Sequence, residues 1–126
     1  MITALEKQPG PNLELIGLEI KDSYIPDIFQ FIKKNERHYG LIKFVKNELT
    51  NEGIASILHY LKNDKYAHTL NLTSNHLTED CLDSIIEFLA TNKVLKNFYL
   101  TGNNINTMKA RPKKKAIQEM GVSLYL

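Results

Sequence analysis

The chain has 126 residues, of which 43% are hydrophobic and 24% charged, with a formal net charge of +2. Those figures suit one folded domain with a real core and exclude a disordered tail or a membrane span. A single cysteine, Cys81, excludes an internal disulfide framework and a multi-cysteine metal site. The net charge hides an asymmetry. Residues 1–87 carry nine Lys/Arg against thirteen Asp/Glu, and residues 88–126 carry seven against one, Glu119.

The first residues, MITALEKQPGP, lack the apolar stretch of a secretory signal. The expected location is therefore cytoplasmic, or a host cell reached by a non-classical route. Residues 1–12, with Pro9-Gly10-Pro11, read as an N-terminal cap or arm, and residues 13–126 as a single domain. Leu18-Glu-Ile20-Lys-Asp-Ser23-Tyr-Ile25 reads as a first strand and turn. Ile28, Phe29 and Ile32 follow at helical spacing, with Pro26 in the first turn.

Three later segments superpose on one another. They are Ile42-Lys-Phe44-Val-Lys-Asn47-Glu-Leu49, Leu70-Asn-Leu72-Thr-Ser-Asn75-His-Leu77 and Phe98-Tyr-Leu100-Thr-Gly-Asn103-Asn-Ile105. Asn47, Asn75 and Asn103 stand 28 residues apart. Between them, Ile54, Ile57, Leu58 and Leu61 predict one helix, and Leu82, Ile85, Ile86 and Leu89 predict another in the same phase. Gly53 and Cys81 share the start position, where a small side chain fits against the next coil. In the last unit Pro112 is expected at the first helical position, with Ala116, Ile117 and Met120 facing inward and Gly121 ending the helix. Val122–Leu126 alternates and reads as a fifth strand.

This LxLxxNxL pattern at a fixed period resembles the leucine-rich repeat family, in its ribonuclease-inhibitor and Ran GTPase-activating-protein-like subclass. The resemblance covers residues 13–126. It implies an α/β solenoid, a right-handed horseshoe arc of about four 24–28-residue repeats. Five parallel strands would line the concave side and helices the convex side.

Within that register, Asn47, Asn75 and Asn103, with Ser23 in the first unit, form a structural ladder. A buried amide has both the donors and the acceptors needed by backbone that turns into the interior. The residues between the inward positions fall in three columns on the concave face. These are Gly17, Leu41, Thr69, Asn97 and Ser123; then Glu19, Lys43, Asn71, Tyr99 and Tyr125; then Lys21, Val45, Thr73 and Thr101. The resemblance implies that this face binds a protein partner, and Tyr99 beside Tyr125 is its best anchor.

A second candidate is the basic cluster of Lys109, Arg111, Lys113, Lys114 and Lys115. It is the feature through which nucleic acid, an acidic membrane or nuclear import would act. No aromatic platform interleaves with it.

Nothing in the chain predicts an enzyme, a cofactor, a metal site or a small-molecule substrate. His38, His59, His68 and His76 include no pair at the helical i, i+4 spacing of metal ligands. Cys81 is expected in the core, and the six glycines are scattered singly. GTPase regulation, by analogy with the Ran-activating relatives, and a host-directed bacterial effector are further readings, and neither has residues here to carry it.

Overall fold

The computed structural model describes residues 2–126. It is a mixed α/β, repeat-like fold in which strands and helices alternate. The order is α1 (Ile2–Glu6), β1 (Asn12–Glu14), a 3-10 turn (Asp22–Tyr24), α2 (Ile25–Lys34), β2 (Leu41–Lys43), α3 (Asn51–Leu61), β3 (Thr69–Asn71), α4 (Cys81–Leu89), β4 (Asn97–Tyr99), α5 (Thr107–Glu119) and β5 (Ser123–Tyr125). The strands form one parallel sheet in the order β1-β2-β3-β4-β5. Leu13, Ile42, Leu70, Phe98 and Leu124 lie in one row, at successive offsets of 29, 28, 28 and 26 residues.

The strands are only three residues long because alternation is needed only where the chain crosses the sheet. Leu13, Ile42, Leu70, Phe98 and Leu124 point inward from it, and Leu15, Phe44, Leu72 and Leu100 continue the inward row just past the strand ends. Each is almost fully buried, which stabilises the fold by roughly 1.5–3 kcal/mol per side chain relative to exposure. Ile54, Ile57, Leu58 and Leu61 of α3 and Leu82, Ile85 and Leu89 of α4 close the same core. Neighbouring helices pack in series, α2 on α3, α3 on α4 and α4 on α5. Among the described residues no helix is long and apolar enough to cross a membrane.

The first unit departs from its predicted register. Its strand is Asn12–Glu14, not Leu18–Ile20. Leu13, Leu15, Leu18 and Ile20 take the places held in the second unit by Ile42, Phe44, Asn47 and Leu49. A strand at Leu18–Ile20 would leave too few residues to turn before α2 begins at Ile25. It would also require extended backbone where Gly17 and Glu19 have φ of +64° and +56°. Ser23 therefore lies outside the asparagine ladder, exposed in the 3-10 turn. Gly17, Glu19 and Lys21 lie outside the sheet columns.

The last helix also differs. It starts at Thr107, where the Asn106 side chain accepts from the Lys109 N–H at 3.1 Å. Pro112 therefore sits inside it rather than at its first position. Ala110 and Ile117, seven residues apart, carry its buried stripe. Met120 is 43% exposed, because Gly121, at φ +79°, turns the chain toward β5 there.

Candidate functional site

The side of the sheet opposite the helices is solvent-facing, and the observed register defines its columns. Asn12 replaces Gly17 beside Leu41, Thr69, Asn97 and Ser123. Glu14 replaces Glu19 at the head of Lys43, Asn71, Tyr99 and Tyr125. The third column keeps Val45, Thr73 and Thr101, with Ile16 in place of Lys21. The central column grades from charge to aromatic surface. Lys43 Nζ is 4.0 Å from the Glu14 carboxylate, a weak, solvated ion pair. Asn71 Oδ1 accepts from the Thr73 N–H at 3.0 Å and its hydroxyl at 2.6 Å. Thr73 and Thr101 hydroxyls meet at 3.3 Å, and Asn97 Nδ2 donates to Thr69 Oγ1 at 3.2 Å. Tyr99 and Tyr125 end the column as a parallel stack, ring centroids 4.5 Å apart and planes 8° off parallel. The stack holds both rings in one orientation, so they lose little freedom on burial by a partner.

Three sets of side chains hold that face rigid from below. Asn47 Oδ1 accepts from the N–H groups of Leu18 and Ile20, at 3.0 and 3.1 Å, and its Nδ2 donates to the Leu15 carbonyl at 2.8 Å. Asn75 Oδ1 accepts from Leu49 N–H, and its Nδ2 donates to the carbonyls of Phe44 and Leu72. Asn103 repeats the pattern on Asn75 N–H, Leu77 N–H and the Leu72 carbonyl. Each amide thus serves the coil before it as well as its own.

At the helix starts the direction reverses. The Asp22 carboxylate accepts from Thr50 N–H, Asn51 Oδ1 from Thr78 N–H, and Glu79 from Asn106 N–H, each near 2.9 Å. The Asn106 N–H holds the Glu79 carboxyl below the usual carboxylate range. On the return loops, buried Asn92 donates to the carbonyls of Leu61, Lys62 and Asp64 and accepts from Val94 and Leu95 N–H. Asp64, 28 residues earlier, accepts from Tyr66 and Ala67 N–H in the same way. Sequence reasoning left out Glu14, Asn92, Asp64 and the Asp22–Asn51–Glu79 set. The 28-residue offset from Asp64 to Asn92 was the available signal.

The basic cluster lies on α5. Lys113 is spoken for: its ammonium sits 2.8 Å from Asp83, which raises its pKa. Lys109, Arg111, Lys114 and Lys115 have no carboxylate partner among the described residues. The histidines are dispersed. His38 stacks on Tyr66 at 4.0 Å, His68 bonds Thr69 Oγ1 at 2.8 Å, and His59 meets the Tyr60 ring edge-on. Among the described residues no cluster of His, Cys, Asp and Glu has the makings of a metal site. Cys81 is buried, and that burial, with Asp80 and Glu79 nearby, pushes its thiol up to about 12. A neutral thiol of that kind is no nucleophile at physiological pH.

No family model matches the chain, and no curated protein does. Among solved structures, Leiomodin-1 Actin-Binding Site 2 (ABS2) superposes with a TM-score of 0.70. The match covers 98% of this chain and 75% of that one, at 16% sequence identity. At that identity the likeness establishes a shared fold.

Proposed function

We propose that the chain is a small leucine-rich repeat solenoid of four units and a closing strand that recognises a protein partner through the concave face of its sheet. The reading is non-enzymatic. The Tyr99–Tyr125 stack carries it: two aromatic rings held parallel on a solvated sheet face, beside the amide of Asn71, the hydroxyls of Thr73 and Thr101 and the ammonium of Lys43. Aromatic side chains with polar tips are the favoured anchors of protein interfaces. The structural neighbour supports the same reading, since a fold of this shape serves there as an actin-binding site.

Affinity capture with the wild type and a Tyr99→Ala/Lys43→Ala variant tests it. The variant is expected to lose partners that the wild type retains, by roughly tenfold or more in affinity if Tyr99 behaves as an anchor. Identical recoveries from both would overturn the reading. Purified actin is the first defined probe, by co-sedimentation with the same pair.

One observation favours a second reading, an anionic partner at α5: four of its five cations lack a carboxylate. A heparin column separates the two. Elution below about 150 mM salt would remove the anionic reading.

A further inference from the structure

The two edges of the sheet are finished differently. In a parallel strand both polar groups of alternate residues point the same way. Leu15 N–H donates to the Lys43 carbonyl, so the N–H and C=O of Glu14 point away from β2. An added strand would bond the outward groups of Asn12 and, two residues on, these two of Glu14. The two of Glu14 are taken by one side chain. Gln8 Oε1 accepts from Glu14 N–H, and Gln8 Nε2 donates to the Glu14 carbonyl at 2.9 Å. A primary amide is thus standing in for the peptide group of a neighbouring strand. Gln8 is itself held in place, because its carbonyl accepts from the Tyr39 hydroxyl and the Arg37 guanidinium donates to the Leu5 carbonyl. At the other edge, Ser123 N–H and the Tyr125 carbonyl bond toward β4, so the groups of Leu124 point outward. No described residue meets them.

The two ends of the stack are complementary in three respects. Every strand pair is parallel and in register, so β5 of one copy matches β1 of the next in strand direction and register. Residues 11–34, through the end of α2, carry Glu14, Glu19, Asp22 and Asp27 against Lys21, Lys33 and Lys34, the acids gathered at the start of α2 and before it. Residues 106–126 carry Lys109, Arg111, Lys114 and Lys115, with Lys113 paired to Asp83, against Glu119. Of the eight large apolar side chains most exposed to solvent, six lie at the ends: Ile16, Leu18 and Tyr24 at one, Met108, Met120 and Tyr125 at the other.

We propose that Gln8 is a plug that keeps a second copy of this chain from stacking head to tail, its β5 against the blocked β1 edge. Such a contact uses two different surfaces, so it propagates into an open filament rather than closing as a dimer. The plug is a device against edge-to-edge association.

Sedimentation velocity on the 126-residue chain tests this. Wild type is expected to stay monomeric at all concentrations. Gln8→Val leaves Glu14 unsatisfied and is expected to give species that grow with concentration beyond the dimer at low salt. About 0.5 M salt, which shortens the Debye length to a few ångströms, should return the monomer. So should Arg111→Glu with Lys115→Glu in the same background. Four results would overturn the proposal: a monomeric Gln8→Val with the wild-type circular dichroism spectrum, association that stops at two copies, association indifferent to salt and to charge reversal, or self-association of the wild type. Should Gln8→Val unfold, Gln8→Ala decides. It removes the same two bonds with a smaller, unbranched side chain, and a folded, monomeric Gln8→Ala would equally overturn the plug.

Discussion

Asn75 and Leu18 occupy equivalent places in two coils of the same sheet, and the backbone turns there in both. In the middle of the stack the place is held by a buried amide bonded to Leu49 N–H, Phe44 C=O and Leu72 C=O. In the first coil an apolar side chain holds it, 40% exposed. The first coil tolerates this because its own N–H groups, those of Leu18 and Ile20, are satisfied by Asn47 of the next coil. The amide at each turn is needed chiefly by the coil that precedes it, and among the described residues α1 and Gln8 stand where an earlier coil would.

That comparison is most directly broken at Asn75. Asn75→Ala strands several buried backbone groups and is expected to cost on the order of 3 kcal/mol, read as a lower urea midpoint. An unchanged midpoint would mean that the amide bridges carry no load.

Gly53→Ala probes the helix-start set. An added Cβ would lie 2.2 Å from Asp22 Oδ1, so the carboxylate must let go of Thr50 N–H. We expect a loss of about 1–2 kcal/mol by thermal or urea unfolding, where Gly→Ala in an exposed helix would gain about 1 kcal/mol.

Cys81 stands at the position equivalent to Gly53 and gives a pH signature. Its thiol ionises near 9.0 when unfolded and at about 12 when folded. Above pH 9 the unfolded state binds fewer protons than the native one, so stability falls as pH rises from 9 toward 12 and is untouched by this group below that. Urea titrations of wild type and Cys81→Ala across that range should show a slope that the variant loses.

The smallest effect is expected at Leu18→Asn, within about 0.5 kcal/mol, because the described residues present no earlier coil for the amide to serve. A gain comparable to the loss at Asn75 would show that each amide mainly serves its own coil.

Much of the middle of the molecule was legible in the sequence. The 28-residue spacing of Asn47, Asn75 and Asn103 fixes which residues face inward, and the rows through Ile42, Leu70 and Phe98 follow from it. The first coil was not. Leu13–Ile20 and Leu18–Ile25 both match the apolar spacing, and only the length needed to reach α2 separates them. Ser23 in the second window is closer to the asparagine of the pattern than Leu18 is in the first, and apolar spacing alone does not show that the first coil does without the amide. Pro112 misled for a related reason. A local preference for the first helical position gave way to Asn106, which caps a helix that begins earlier. On the candidate face, Lys43, Asn71, Tyr99 and Tyr125 share one column, but Glu14 came only with the corrected register.

The bridges between coils run both ways. Asn47, Asn75 and Asn103 reach back to the preceding coil, while Asp22, Asn51 and Glu79 reach forward to the next. A junction between a folded coil and an unfolded one would therefore break bonds supplied from both sides at once. In a linear array the cost of such a junction sets how far order spreads along the stack. Here that cost is high at each internal boundary, so the array should melt as one body, and the solvent-facing columns of the sheet should keep their alignment until the whole domain is lost.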